Sequence, residues 1–182
     1  MSFFCELHYI HVNRPLPSDE LYRSRDAFRA DAERFARTLS ETDPQIPLCV
    51  IFVAPPNDDD IALYRAFPQW RWIVYPGNGW DIGAHQYSAR DCDCEFALFG
   101  SSRTHFKRAG WLRRITEAMK CHGNGLYGTA GSYEGCPLGD RPSPNPHIRT
   151  TFYALPPALF RSYPHEIASR FDCFKAESGE WS

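Results

Sequence analysis

At 182 residues, 43% of them apolar and 15% aromatic, the chain suits one folded domain with one sizeable core and is not a disordered protein. Its 20 basic and 22 acidic residues give a net charge of −2, which excludes a nucleic-acid binder that works through bulk positive charge. Seven cysteines without a CxxC pair read as buried thiols in a reducing compartment, so the expected location is cytoplasmic. Cys92 and Cys94 with a distant histidine would suit zinc, although a lone CxC is weak evidence for it.

The opening MSFFCELHYIH has no basic leader and reads as the first strand, over residues 7–12. Ser18 is then a candidate N-cap with Asp19 and Glu20 in the first turn, and Leu21, Phe28, Ala32, Phe35 and Leu39 fall on one helical face. DPQIP breaks that helix. Residues 48–54 are an apolar run between prolines, as in a strand buried on both faces, and the longest apolar run (46–54) is far too short to span a bilayer. Asn57 or Asp58 starts a short helix, and residues 70–76 form a third strand. Asp81 is expected to cap a helix beginning near Ile82, and residues 94–100 form a fourth strand.

A helix with Trp111, Leu112, Ile115, Ala118 and Met119 on its apolar side ends near Gly123. LYGTAG reads as a fifth strand and residues 147–155 as a sixth, followed by a helix from Pro156 and another in PHEIASRF. Between those strands, residues 131–146 are rich in Gly and Pro and too long for a mere connector, which marks a substrate loop. Alternating strands and helices predict an α/β protein with a mostly parallel central sheet flanked by helices. One domain over 1–182 is expected, as a complete protein or as a module of a longer chain.

In such a sheet, ligands bind at the carboxyl ends of the strands. The candidates are therefore Asn13 and Arg14, residues 55–58 with Asn57, residues 78–83 with Asn78, Gly79, Asp81 and Gly83, and residues 100–104 with Ser101, Ser102 and Arg103. Amides and carboxylates suit a base and ribose, glycines permit close backbone approach, and a cation suits phosphate.

These residues carry a resemblance. In order, LHYIHVNRP, GNGWDIGAH, FALFGSSRTHF, GWLRRITEAM and PHIRTTFYALPPALF resemble a glycosyltransferase of the A-type (GT-A) nucleotide-sugar-binding fold. The similarity is to the rhamnan-synthesis-type transferases of bacterial and viral polysaccharide assembly, whose N-x-G-x-D-x-G-A pattern matches Asn78, Gly79, Asp81, Gly83 and Ala84. It implies transfer of a sugar, with inversion, from a nucleoside-diphosphate sugar to a glycan hydroxyl. Most such enzymes carry Asp-x-Asp after the fourth strand, holding Mn²⁺ or Mg²⁺ against the diphosphate. Here that position is Gly100-Ser101-Ser102, and Asp91-Cys92-Asp93 stands before the strand, at the edge away from the ligand. Charge compensation then falls to Arg14, Arg103 or Lys107, or to a metal held by Asp81 or His147.

The resemblance also implies a general base in the long loop, Glu134 or Asp140, with Glu134 preferred because it follows the strand end more closely. Trp111, Tyr133, His147 and Arg149 are the acceptor-side candidates, although the spacing of Trp111 with Ile115 and Met119 equally fits core packing. The alternative is a domain of the same fold that binds sugar or nucleotide, or partners an active transferase, without catalysis.

Overall fold

Residues 5–15, 23–133 and 146–178 are described by a computed structural model of the chain. In chain order the elements are β1 (Cys5–His11), α1 (Arg25–Thr42), β2 (Leu48–Phe52), α2 (Asp58–Ala62), β3 (Trp70–Val74), α3 (Trp80–Ala89) and β4 (Phe96–Gly100). There follow α4 (Trp111–His122), β5 (Tyr127–Gly128), β6 (Gly131–Ser132), β7 (His147–Ile148), β8 (Phe152–Leu155), α5 (Pro157–Ser162) and α6 (Arg170–Ser178).

Six strands form one sheet in the order β3-β2-β1-β4-β8-β5. β1 pairs in parallel with β2 and β4, and β2 with β3, because each of these strands is reached through a helical crossover. β8 returns without a helix before it and pairs antiparallel with β4 and β5. The expected mostly parallel, helix-covered sheet is the architecture the chain adopts.

Every residue of β1, β2 and β4 is buried, which requires cover on both faces. On one face Leu7 and Tyr9 of β1, Val50 and Phe52 of β2 and Leu98 of β4 meet Phe35 and Leu39 of α1 and Met119 of α4. Tyr9 and Phe35 stack with ring centroids 3.5 Å apart. On the other face Ala97 and Phe99 of β4 meet Ile82 of α3, Phe160 of α5 and Cys173 of α6.

Several expected boundaries differ. α1 is capped by Ser24, whose Oγ accepts from the Ala27 amide at 3.3 Å, while Ser18 lies outside the described residues. Asn57, not Asp58, caps α2, in a reciprocal box with Asp60. Asp81 does not cap α3: the cap position is Gly79 and Asp81 sits in the first turn. The single sixth strand divides at Thr150 and Thr151, so that His147–Ile148 joins β6 in a separate ribbon while Phe152–Leu155 joins β4. The fifth strand divides likewise into β5 and β6. Among the described residues no helix is long and apolar enough to cross a membrane.

Candidate functional site

The chain runs β1, β2, β3 toward one edge and then returns to the other side of β1 as β4. Strand order reverses between β1 and β4, where a parallel sheet leaves a crevice at its carboxyl end. A cleft of about 440 Å³ opens there. Ile10 and Val12 line it from β1, Val53 from the end of β2, Tyr75, Gly77 and Asn78 from the end of β3, Trp80, Asp81 and Ala84 from α3, and Ser102 and Arg103 from the end of β4. Arg14, Arg23, Phe28 and Arg170 complete the lining.

The charge of this lining is one-sided. Among the described residues, four arginines face a single carboxylate, Asp81. Arg23 is ion-paired to the buried Asp31 of α1. The Arg170 guanidinium lies 3.9 Å from the centroid of the Trp80 ring, a cation–π contact that orients both. Trp80 has φ 48°, a left-handed backbone that costs a non-glycine residue free energy and is found where surrounding structure over-determines it.

The floor of the cleft is held by tyrosines. The Tyr9 hydroxyl donates to the Ser102 carbonyl at 3.0 Å, and burial, with Asp31 nearby, pushes its pKa well up, so it stays a donor. The Tyr75 hydroxyl donates to the Ile167 carbonyl at 3.3 Å and accepts from the Gly79 amide at 2.9 Å. Behind it, fully buried His85 has Nε2 3.3 Å from the Gly100 carbonyl, which can only accept; Nδ1 therefore accepts from the Tyr153 hydroxyl at 2.9 Å. Burial holds the pKa of His85 down to about 3 and that of His11 down to about 4.

Of the donor-side candidates, Arg14, Asn78, Asp81, Ser102 and Arg103 share the cleft lining. Asn13 and Asn57 lie off it. Asn13 ties the end of β1 to β2, with Nδ2 donating to the Ala54 carbonyl at 3.0 Å and Oδ1 accepting from the Ala54 amide at 3.2 Å. Asn57 is engaged in its cap. Ser101 is buried beneath the lining, its Oγ accepting from the Arg103 amide at 3.4 Å. Gly79 and Gly83 pack against the backbone of Ile167.

On the acceptor side, Trp111 is a packing residue: it stacks on Phe106 at 4.1 Å, and its Nε1 donates to Thr42 at 3.2 Å. His147 lines a second, largely apolar hollow of about 390 Å³ together with Tyr153, Phe160 and Tyr163. Arg149 donates to the Ser132 hydroxyl at 3.3 Å, and Tyr133 is exposed. The proposed bases Glu134 and Asp140 lie outside the described residues. The sequence singled out neither Arg23 nor Arg170 and read Phe28 only as a residue of a helical face, while Trp80 lay inside the candidate stretch 78–83 without being named. Trp80 adjoined a singled-out aspartate, but Arg170 arrives from 89 positions further along the chain.

A hard divalent cation needs several oxygen ligands. Among the described residues the lining offers one carboxylate, so Mn²⁺ or Mg²⁺ here would be held by Asp81, water and the ligand's own phosphates. Asp91 and Asp93 are exposed on the turn before β4. A different donor set, Glu6, His8 and Cys92, gathers at the opposite end of the strands.

No protein-family model matches the chain, and no curated protein does. Solved structures do match in fold. TarS (residues 1–349) of S. aureus, also determined in complex with UDP, superposes with a TM-score of 0.59 at 12% identity, over 97% of this chain and 55% of that one. HddC of Yersinia pseudotuberculosis gives 0.59 at 12% identity, over 90% and 82% of the two chains. The mannosyltransferase PcManGT of Pyrobaculum calidifontis, in complex with GDP-Man and Mn²⁺, gives 0.59 at 9% identity, over 88% and 47%. The chain thus spans about half the length of TarS 1–349 and of PcManGT. Its fold is the A-type glycosyltransferase fold.

Proposed function

We propose that the cleft binds a nucleoside-diphosphate sugar and that the protein transfers the sugar, with inversion, to a hydroxyl of a glycan acceptor in polysaccharide assembly. The observation that carries this reading is the gathering of Arg14, Arg23, Arg103 and Arg170 around Asp81 over the carboxyl ends of parallel strands. Guanidinium groups suit a diphosphate, both in charge and in planar hydrogen-bond geometry. Structures of the same fold are held with UDP and with GDP-Man, which supports the ligand class.

In this reading Arg14, Arg103 and the Ser102 hydroxyl take the diphosphate and stabilise it as it departs. Asp81 takes sugar or ribose hydroxyls, and Trp80 with Arg170 forms the wall beside it. A carboxylate of residues 131–146, Glu134 first and Asp140 second, removes the proton from the acceptor hydroxyl. The arginines supply charge compensation that a carboxylate-held metal supplies elsewhere, so donor binding survives removal of divalent ions.

The test is a thermal-shift screen against nucleoside diphosphates and their sugars, with Mn²⁺ and with EDTA. A ligand bound to the native state alone raises the melting temperature by mass action. The expected result is a rise with one diphosphate series that EDTA leaves largely intact, accompanied by sugar transfer to glycan acceptors. Donor binding without transfer or hydrolysis would instead favour a non-catalytic binding domain.

A further inference from the structure

Glu6 and His8, two residues apart on β1, lie on the face that α3 covers, and His8 reaches Ser88 in the last turn of that helix. Cys92 and Cys94 stand on the turn that leads from α3 into β4. The Cys92 Sγ is 3.4 Å from Glu6 Oε2 and 2.9 Å from Cys94 Sγ, and His8 Nε2 is 3.1 Å from the same Glu6 oxygen. Ligand atoms of Glu6, His8 and Cys92 all lie within 4.8 Å of one another.

The hydrogen-bond directions fix which nitrogen of His8 faces Glu6. Ser88 Oγ gives its one proton to the His85 carbonyl at 2.9 Å, so toward His8 Nδ1, also at 2.9 Å, it can only accept. Nδ1 therefore carries the hydrogen, and in the neutral ring Nε2 holds a lone pair. His8 is fully buried, and its Nε2 faces a Glu6 carboxylate oxygen at ion-pairing distance without hydrogen-bond geometry. Two lone pairs at that separation repel unless a cation stands between them, either the second ring proton that would pair His8 with Glu6 or a metal ion. A histidine whose distal N–H is held by an oxygen acceptor, leaving the other nitrogen to a metal, is the usual arrangement at such sites.

We propose that Glu6, His8, Cys92 and Cys94 bind a borderline-soft divalent cation, zinc first, which ties the start of β1 to the turn before β4. Sulfur with imidazole selects zinc over magnesium or manganese, and four ligands complete a closed tetrahedral site. Two thiolates on one zinc stand about 3.8 Å apart, given Zn–S bonds of about 2.3 Å, so Cys94 must turn by roughly 1 Å. It is only half-buried, and the contact it gives up is its bond to the Phe96 carbonyl at 3.1 Å. Charge closes as well. The two thiols release their protons to solvent, the thiolates and Glu6 bring three negative charges, and zinc with Arg71, bidentate on Glu6 at 2.7 and 2.9 Å, brings three positive ones. Asp81 is seven residues before Ser88 on α3, about 10 Å along the helix, so this site is separate from the cleft.

The experiment is cobalt titration of the full, reduced, metal-free chain. The expected result is saturation at one equivalent, with thiolate-to-cobalt charge-transfer absorption and tetrahedral ligand-field bands that zinc abolishes. Cys94→Ser should retain one thiolate and lose about half of the charge-transfer intensity. Ser88→Ala should weaken the affinity about tenfold through the histidine's lost support. Cys121→Ser, altering an exposed thiol elsewhere, should leave every band in place. Should Cys92→Ser fail to fold, the half-buried Cys94 still gives the reading. Absence of cobalt and zinc uptake by the reduced chain overturns the proposal, in favour of a doubly protonated His8 on Glu6. So does a spectrum that Cys94→Ser leaves unchanged.

Discussion

A Cβ built on Gly79 would lie 2.0 Å from the carbonyl oxygen of Ile167. At Gly83, one turn on, it would lie 2.4 Å from the same oxygen. The start of α3 is thus pressed onto the backbone leading into α6, and Tyr75 bonds both sides of the contact. Trp80 and Asp81 stand between the two glycines and take their direction into the cleft from it.

Gly79→Ala should therefore destabilise the protein beyond the 1–3 kcal/mol or so of ordinary overpacking, since a backbone carbonyl cannot swing aside as a side-chain end can. Urea denaturation reads this as a lower midpoint at unchanged slope. A midpoint equal to the parent's would show that the contact is not held in solution.

The arginine-rich lining should make ligand binding salt-dependent. Arg14→Gln with Arg103→Gln should weaken nucleoside-diphosphate binding at least tenfold and flatten its dependence on ionic strength, with little change in melting temperature. Isothermal titration at two salt concentrations checks both effects.

Glu134→Gln should keep donor affinity within about twofold and lower turnover by a factor of roughly 10² to 10⁴, the usual contribution of a general base. Loss of affinity and turnover together would point to a donor-side role for Glu134.

His85 and His11 bind fewer protons in the native chain than when unfolded, because burial holds them at about 3 and about 4. Between their ordinary pKa near 6.5 and those values the unfolded chain takes up protons that the native one does not, so stability falls as pH falls below about 6.5. Each histidine contributes on the order of 3 kcal/mol to that loss. His85→Gln keeps a donor for Gly100 and an acceptor for Tyr153, and should make the pH profile of the melting temperature shallower between pH 6.5 and 4.

How much of this was readable beforehand depends on the range of the interaction. β2 and β4 are unbroken apolar runs, and the carboxyl ends of the four parallel strands already pointed to Arg14, Asn78, Asp81, Ser102 and Arg103. Two-residue strands such as β5 and β7 carry no periodicity, so residues 147–155 looked continuous until Thr150 and Thr151 turned the chain. Gly79 and Gly83 signalled close approach, but sequence could not say whether a ligand or Ile167 approached. Glu6 and His8 share a strand face by simple alternation, yet Cys92 and Cys94 meet them only through the pairing of β1 with β4.

The most direct measurement is calorimetric titration of the nucleoside diphosphate selected by thermal shift into the parent and into Asp81→Ala. The expected result is saturable binding by the parent, with the sugar-bearing donor losing at least tenfold in affinity on Asp81→Ala while the melting temperature of the free protein holds. Equal donor affinity in the two proteins, or no binding of any nucleoside diphosphate by the parent, would contradict it.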